Sequence, residues 1–528
     1  MRSIGRLMLL AAVLATGCAQ VREPQGGAKD EVGPALKGTL PPNGTVRFTG
    51  SRILLRFDER VKLDRVQERL LISPPLARSP EVRMGRGDEV AIEWKGSLDP
   101  NTTYVFNIGD AVVDITENNP AAGLAYVLST GDHIDSASVH GTLTDAFTGA
   151  AVPRALVLAY AVGDTVKPLV HRPSFFTRTD AEGRFRIAYM RPGAYHLAAL
   201  NDRNANYRYD LPNEEVAFLD STVAAGDSRP FALRLFRELP ATQQLVEMRV
   251  MDDRSWRLVL AKHSDSLSIR QIDRVDDPLT WYPEWNTTRD TVQLWPSDTT
   301  LLVGQRFELS ERGSVFDTIT YRPLKRMPFH VALEGVEAQG RLELVATRPL
   351  AAFDSTKAVF TVDSAVVPFA GMIVADSLRR FRVEGSVPKE ASTTLLLLPG
   401  AFTDIYNGTN DTLRFSWGSR TPPALGQLRL KLRSDSLVHL SGPFLLQLIP
   451  AQGSVRELRI AELPANPSWS DLPAGEYRLK LVEDRNGDGR WTTGRLDTGL
   501  QPERVHVDPD KAALRSGWEV EVEWVVTP

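Results

Sequence analysis

The feature that most constrains the fold is a two-residue alternation of apolar and polar side chains that recurs along the chain. It runs through RILLRFDERV at 52–61, EVAIEW at 89–94 and TTYVFNIGDAVVDI at 102–115, and Asn, Asp, Gly or Pro bound these stretches. A period of two places successive side chains on opposite faces of a strand. Turn residues at intervals of about ten residues are typical of antiparallel sandwiches. Helical periodicity is scarce, so the sequence predicts an all-β fold of antiparallel β-sandwiches.

The N-terminus has the pattern of an export signal. Arg2 and Arg6 precede the apolar run LMLLAAVLA, which is shorter than the roughly 20 residues that a membrane-spanning helix needs. Cys18, the only cysteine, directly follows Ala-Thr-Gly at 15–17. This stretch resembles the lipobox of bacterial lipoproteins, which implies a signal peptide at 1–17 and fatty acylation of Cys18. The alternative is an ordinary secretory signal in which the cysteine is a coincidence.

A lipid on Cys18 implies an outer-membrane location, either on the periplasmic face or at the cell surface. Residues 18–33 are rich in Gly, Pro and charge, which predicts a flexible tether. The chain has 62 Lys and Arg against 66 Asp and Glu. This nearly neutral balance predicts no nucleic-acid partner.

Two kinds of module resemble known domains. Residues 34–134 resemble the bacterial Ig-like domain through LLRFDERV, LDPNTTYVFNIGDAVVDITENN and YVLSTGD. Residues 136–236 resemble the carboxypeptidase-regulatory or transthyretin-like sandwich through TRTDAEGRF and GAY. The C-terminal part repeats both in degraded form: TTLLLLPGAFTDIYNG echoes TTYVFNIGDAVVDITEN, and AVFTVDSAV echoes ILLRFDERV. The predicted modules are therefore completed by a β-rich intermediate domain at 240–328, a second Ig-like domain at 330–422 and a second transthyretin-like domain at 424–528.

An Asp-Arg-Asn motif occurs in both transthyretin-like modules, in LNDRNANYRYD and VEDRNGDGRW. In the second copy, three oxygen-bearing residues alternate before Gly489, as in the first half of an EF-hand calcium loop. The twelfth position is Arg495, where a bidentate Glu is expected. The candidate calcium ligands are Asp484, Asn486, Asp488 and Asp497 in the second copy and Asp202, Asn204, Asn206 and Asp210 in the first. The alternative is a structural turn capped by Asp and Asn side chains, which duplication would copy equally well.

An aromatic cluster offers a binding interpretation. Trp281, Tyr282 and Trp285 lie in LTWYPEWNTT and could form a stacking platform for a sugar or a docking patch for a protein. The alternative is that these side chains belong to a sandwich core. Both interpretations stay open at this point.

Catalytic patterns are weak in this sequence. The eight histidines are scattered singly, and neither a His-Glu-x-x-His motif nor a Gly-x-Ser-x-Gly elbow occurs. Asp58 and Glu59 are adjacent on a predicted strand, so their side chains point to opposite faces. We therefore predict a protein that is not an enzyme and that needs no cofactor, apart from the candidate calcium.

The arrangement of modules resembles a family of Ig-like-domain lipoproteins of Bacteroidota, from GGAKD in the tether to RSGWEVEVEW at the end. The resemblance implies an elongated array of sandwiches in the cell envelope. We predict a scaffold or binding subunit of an envelope complex, accessory to an outer-membrane assembly or secretion machine. The alternative is a glycan- or peptide-binding lipoprotein of a nutrient-uptake system.

Overall fold

A computed structural model describes the chain from residue 30 onwards, so the predicted signal peptide and Cys18 lie outside the described residues. The described residues are 30–108, 111–121, 123–163, 167–204, 206–251, 255–272, 279–298, 304–320, 328–336, 342–368, 370–374, 377–384, 392–418, 425–435, 439–440 and 442–527. They form two compact units. Unit 1 contains the described residues up to Leu143, Pro153–Arg208 and Phe218–Leu233, and unit 2 contains Thr144–Val152, Tyr209–Ala217 and the chain from Arg234.

The first sandwich shows why the alternating stretches become strands. On β2, Ile53, Leu55 and Phe57 are buried while Arg52 and Arg56 face solvent. The sheet orders are β1-β2-β6-β5 and β4-β7-β9, with β3 and β8 as a separate pair. Its strands are β1 (Leu36–Leu40), β2 (Arg52–Phe57), β3 (Val61–Leu63), β4 (Leu71–Ser73), β5 (Glu81–Met84), β6 (Glu89–Glu93), β7 (Thr103–Asn107), β8 (Val112–Asp114) and β9 (Ala125–Ser129), and a one-turn helix spans Val66–Arg69.

The second sandwich has sheet orders β13-β10-β17 and β12-β11-β14-β15, and β16 pairs with β14. Strand β11 lies between β12 and β14 inside its sheet, and its residues are buried on both faces. The strands are β10 (Ala137–Asp145), β11 (Leu156–Ala161), β12 (Phe175–Arg178), β13 (Arg184–Met190), β14 (Ala194–Leu200), β15 (Val216–Phe218), β16 (Val223–Ala224) and β17 (Phe231–Leu235).

The third sandwich occupies the predicted intermediate domain. Its sheet orders, β18-β19-β22-β21 and β20-β23-β24, are the A-B-E-D and C-F-G orders of constant-type immunoglobulin domains. Trp256 and Phe307 fill its core. The strands are β18 (Leu245–Val250), β19 (Trp256–Leu260), β20 (Leu267–Gln271), β21 (Trp281–Trp285), β22 (Thr291–Pro296), β23 (Arg306–Glu311) and β24 (Ser314–Thr320).

The fourth sandwich has sheet orders β25-β26-β31-β30 and β29-β28-β32-β34, with β27 and β33 as a separate pair. A short 3-10 turn spans Ser355–Lys357. The strands are β25 (Val331–Val336), β26 (Leu342–Ala346), β27 (Leu350–Phe353), β28 (Ala358–Val362), β29 (Ala365–Val366), β30 (Ala370–Ile373), β31 (Arg380–Glu384), β32 (Ser392–Leu397), β33 (Phe402–Asp404) and β34 (Leu413–Gly418).

The fifth sandwich has sheet orders β38-β35-β42 and β37-β36-β39-β40, and β41 pairs with β39. The first and last strands, β35 and β42, run parallel over eight paired residues. The strands are β35 (Gly426–Ser434), β36 (Phe444–Pro450), β37 (Arg456–Ile460), β38 (Ser468–Leu472), β39 (Gly475–Glu483), β40 (Val505–Val507), β41 (Ala512–Leu514) and β42 (Glu519–Val526).

The strand orders relate the sandwiches to one another. Counted from its own first strand, the second sandwich has orders 4-1-8 and 3-2-5-6, and the fifth sandwich has the same orders. The first and fourth sandwiches likewise share 1-2-6-5, 3-8 and 4-7-9, if the additional β29 is not counted. The all-β prediction of tandem antiparallel sandwiches is thus confirmed.

One predicted correspondence is wrong. AVFTVDSAV echoes ILLRFDERV in sequence, yet β28 pairs with β32 whereas β2 lies between β1 and β6. The strand that occupies the position of β2 in the fourth sandwich is β26. Both segments are short alternating strands that end at an acidic turn, and this pattern does not determine which neighbours a strand pairs with. Across the described part of the chain, no helix has the length and apolar character to cross a membrane.

Candidate functional site

The two Asp-Arg-Asn motifs lie at the same position in their sandwiches. The first begins the 201–215 loop between β14 and β15, and the second begins the 484–504 loop between β39 and β40. In both loops the leading aspartate accepts a hydrogen bond from the amide five residues later: Oδ2 of Asp202 from Tyr207 and Oδ2 of Asp484 from Gly489, each at 2.8 Å. The two donor residues both have positive φ, 64° for Tyr207 and 78° for Gly489. The motifs therefore fold into the same turn.

A buried glutamate before the next strand completes each loop. Glu503 accepts hydrogen bonds from the amides of Arg485 and Thr492, both at 2.8 Å. Glu214 accepts them from the amides of Asp210 and Leu211 at 3.0 and 3.1 Å. Charged acceptors of backbone amides make strong hydrogen bonds, so each glutamate holds its loop in shape.

The environment of Glu503 disfavours its ionised form. Burial raises the pKa of this carboxyl, the backbone amides lower it, and the negative charge of Asp484 raises it again. Because the pKa of Glu503 is raised in the folded protein, its contribution to the free energy of unfolding is fully present at low pH. This contribution is lost as pH rises through the raised pKa.

The loops differ in the hydrogen bonding of the second carboxylate oxygen, Oδ1, of their leading aspartates. Oδ1 of Asp202 accepts a hydrogen bond from Asn206 at 3.3 Å. Oδ1 of Asp484 has no hydrogen-bond partner within the described residues. It is also shielded from solvent, since Asp484 is only 3% exposed. The amide of Asp488, which is the equivalent of Asn206, binds Oδ1 of Asn486 instead, at 2.9 Å. The second loop therefore holds a buried, unsatisfied carboxylate oxygen.

The other candidate calcium ligands are spread more widely. Asp497 is 71% exposed, and its carboxylate lies 3.9 Å from Arg495. Asp210 and Asn204 of the first loop are also exposed. Where the structure describes the chain, no three His, Cys, Asp or Glu side chains are grouped so as to hold a metal. The start of the 484–504 loop is therefore the candidate calcium site that the geometry supports best.

The residues that follow the two motifs meet within unit 2. Glu238 accepts hydrogen bonds from the Tyr209 hydroxyl at 2.9 Å and from the amide of Leu496. Thr493 donates to the carbonyl of Arg237 at 2.7 Å. Trp491 packs on Phe147, with ring centres 5.1 Å apart. These contacts join the fifth sandwich to segments 144–152 and 234–239.

The aromatic strand β21 separates the three predicted stacking residues. Trp281 packs against Trp256, with ring centres 4.7 Å apart, and Trp285 contacts the same core. Tyr282 lies between them in the strand, so its side chain points to the opposite face. The structure places Trp281 and Trp285 on the core-facing side of β21 and Tyr282 on the other side. Their role in ligand stacking stays a prediction.

The opposite face of β21 carries a contact that sequence reasoning missed. Glu284 accepts hydrogen bonds from Ser377 and Arg379 of the fourth sandwich, both at 2.6 Å. The Arg379 guanidinium lies 5.2 Å from the centre of the Trp295 ring, and Tyr406 donates to the carbonyl of Pro296 at 2.9 Å. Only the alternation along WYPEW, which sets Glu284 apart from the tryptophans, could have indicated it.

Unit 1 contains a similar junction between the first and second sandwiches. Oγ of Ser73 accepts a hydrogen bond from the buried amide of Phe176 at 2.9 Å, and Arg172 donates to the carbonyl of Leu76 at 2.8 Å. Arg191 donates to the carbonyl of Asn101. A groove of about 650 Å³ lies beside these contacts, with Trp94 among its lining residues.

The first sandwich matches a known family. Residues 30–130 match the family model described as the bacterial Ig-like domain. The first sandwich is thus similar to the bacterial Ig-like domain. The match supports the Ig-like resemblance that the sequence predicts for this region. No curated protein matches the chain.

Several solved structures are similar at low identity. The major pilin subunit BcpA of Bacillus cereus covers 74% of this chain and 99% of its own, with 12% identity and a TM-score of 0.15. The Bacillus anthracis TIE protein covers 96% and 76%, with 9% identity and a TM-score of 0.15. The major pilin SpaA of Corynebacterium diphtheriae covers 74% and 100%, with 12% identity and a TM-score of 0.14. Similarity at this level does not transfer a function.

Proposed function

We propose that the protein is a non-enzymatic lipoprotein that serves as a scaffold or binding subunit of a cell-envelope complex. The main observation in support is that specific hydrogen bonds and ion pairs join neighbouring sandwiches. The bond from Phe176 to Ser73 and the pair of Arg379 and Glu284 each need a partner from two sandwiches. Domains joined only by a linker move independently, whereas such contacts favour one arrangement of the two sandwiches that share them.

The shared strand orders support a duplicated pair of Ig-like and transthyretin-like modules. The first and fourth sandwiches have one order, and the second and fifth have another. The lipid anchor on Cys18 and the outer-membrane location rest on the lipobox resemblance. The partner that we propose is an envelope or outer-membrane protein, in an assembly or secretion machine.

The alternative of a glycan- or peptide-binding protein is less well supported. It requires Trp281 and Trp285 to stack on a ligand, but both side chains pack against the core of the third sandwich. Aromatic side chains that pack against a core stabilise the fold, and this packing leaves less of their surface for a sugar.

The test is crosslinking in intact native cells, followed by mild-detergent purification of the tagged full-length protein and mass spectrometry. We expect the wild-type chain in the membrane fraction. We also expect an outer-membrane or envelope protein to copurify with it in a stoichiometric amount. The matched control, Cys18→Ser, keeps every described residue and should lose fatty-acid labelling and membrane retention. Recovery of the wild-type protein alone would contradict the scaffold, and a soluble wild-type chain would contradict the anchor.

A further inference from the structure

Negative charge is concentrated at the start of the 484–504 loop. Glu483, Asp484 and Glu503 are 0%, 3% and 5% exposed. His506 lies 3.0 Å and Arg485 3.5 Å from Glu483. Among the described ion pairs, none includes Asp484 or Glu503. The Arg459 guanidinium lies beside this turn, where it donates to the carbonyl of Asp488 at 3.3 Å, and no described ion pair joins it to Asp484 or Glu503. Buried carboxylates that form no ion pair are costly, so this arrangement favours a bound positive ion.

We propose that the 484–504 loop binds a calcium ion and that the equivalent 201–215 loop does not. The buried Oδ1 of Asp484 has no partner in the described chain, and it is the first ligand of the site. Calcium takes six to eight oxygen ligands and tolerates irregular geometry, which suits a surface loop of this kind.

The remaining ligands come from the same turn. Oδ1 of Asn486 accepts one hydrogen bond, from Asp488, and keeps a second lone pair. The Asp488 side chain is exposed at the loop surface, where it binds the amide of Arg490 and the side chain of Asn486. By analogy with the seventh position of an EF-hand loop, the carbonyl of Arg490 and water would complete the set. Asp497 is not a ligand in this assignment, since its exposed carboxylate faces Arg495.

Glu503 is a positioning residue and does not bind the ion. Its two carboxylate oxygens hold the amides of Arg485, Asn486 and Thr492, and this fixes the path of the loop around Asp484. With two charged ligands and no bidentate glutamate, the site belongs to the weak class of extracellular calcium modules, with a Kd of about 0.1–1 mM.

The first loop provides an internal comparison. Oδ1 of Asp202 is already occupied by the amide of Asn206. The positions of Asn486 and Asp488 hold Asn204 and Asn206, so only one acidic ligand is present. A single charge holds calcium poorly, because affinity depends on the number of charged ligands.

The experiment is a calcium titration of the purified full-length protein by isothermal calorimetry. We expect one site, and Asp488→Asn should weaken binding at least about tenfold, because it removes one of two charges. Asparagine keeps the oxygen that binds the amide of Arg490, so the turn should persist. Asp202→Asn is the matched control and should leave calcium affinity unchanged.

A second readout locates the ion. Terbium in place of calcium should emit on excitation of Trp491, which lies in the same loop, and Trp491→Phe should reduce that emission while calcium still binds. The proposal would be overturned by a lack of saturable binding to the folded wild-type protein up to about 10 mM calcium, by equal affinity of Asp488→Asn, or by loss of the site in Asp202→Asn. Equal binding of magnesium would also overturn it, as a sign of unspecific charge attraction.

Discussion

Arg348 and Asp404 form an ion pair inside the fourth sandwich, where their side chains are 2% and 0% exposed. Nη1 of Arg348 lies 2.6 Å from Oδ2 of Asp404. Oδ1 of the same aspartate accepts hydrogen bonds from the amides of Tyr406 and Gly408. One carboxylate therefore satisfies both a buried cation and a tight turn.

Removal of the Arg348 cation should strongly destabilise the fourth sandwich. We predict that Arg348→Met lowers the free energy of unfolding by about 3–5 kcal/mol, because it leaves Asp404 charged and buried. Urea denaturation of the full chain would measure it. The control is Lys431→Met, which breaks an exposed pair with Glu521 and should cost less than about 1 kcal/mol. If Arg348→Met/Asp404→Asn is no more stable than Arg348→Met, the cost comes from lost packing and not from the unpaired charge.

The same residue scale explains which parts of the loops were predictable. Asp484, Asn486 and Asp488 stand in one short motif, and the sequence alone indicates them. Glu503 is separated from them by a loop whose length differs from that of the first copy, so no fixed spacing points to it. Its partners are backbone amides, which leave no signature in the side chains.

At the scale of elements, alternation predicted the strands and missed their partners. The stretch EVAIEW forms β6 as expected, whereas AVFTVDSAV forms a strand in a different position from its apparent counterpart. Apolar patterning determines which face of a strand is buried. Register and neighbours depend on contacts that are distant in sequence, and a single sequence does not contain them.

Gly141 shows how closely two strands can approach. It lies on β10, and a Cβ at this position would be 1.8 Å from the carbonyl oxygen of Phe231 on β17. We predict that Gly141→Ala lowers the free energy of unfolding by about 3 kcal/mol or more, since backbone atoms must move.

Gly38→Ala is the matched control for this substitution. Gly38 also lies in a strand, and no atom comes within 4 Å of an added Cβ. Its stability should change by no more than about 0.5 kcal/mol in the same urea titration. Equal effects of the two substitutions would show that the strand approach at Gly141 is not tight.

At the scale of the whole molecule, the fifth sandwich stabilises a surface that belongs to much earlier residues. Phe147 packs on Trp491, and the Lys480 ammonium lies 3.9 Å from the centre of the Phe147 ring. Burial lowers the pKa of Lys480, so its charge is held at some cost within this contact. Segments 144–152 and 234–239 thus depend on residues near the end of the chain.

A shortened chain tests this dependence. We predict that a protein ending at residue 423 exchanges amide hydrogens faster in 144–152 and 234–239 than the full chain does. Residues 34–134, which make none of these contacts, serve as the internal reference and should exchange at the same rate. Hydrogen exchange read by mass spectrometry distinguishes the two outcomes, and unchanged protection of both segments would contradict the dependence.

The bond from Thr493 to Arg237 joins residues 256 positions apart. During synthesis, the chain therefore passes through a long interval in which Phe147 and Glu238 have been made and their partners have not. Contacts this distant in sequence form late, because closing the intervening chain costs entropy. Segments 144–152 and 234–239 therefore lack these partners until the last hundred residues emerge, and a factor that protects the growing chain would have that face to cover.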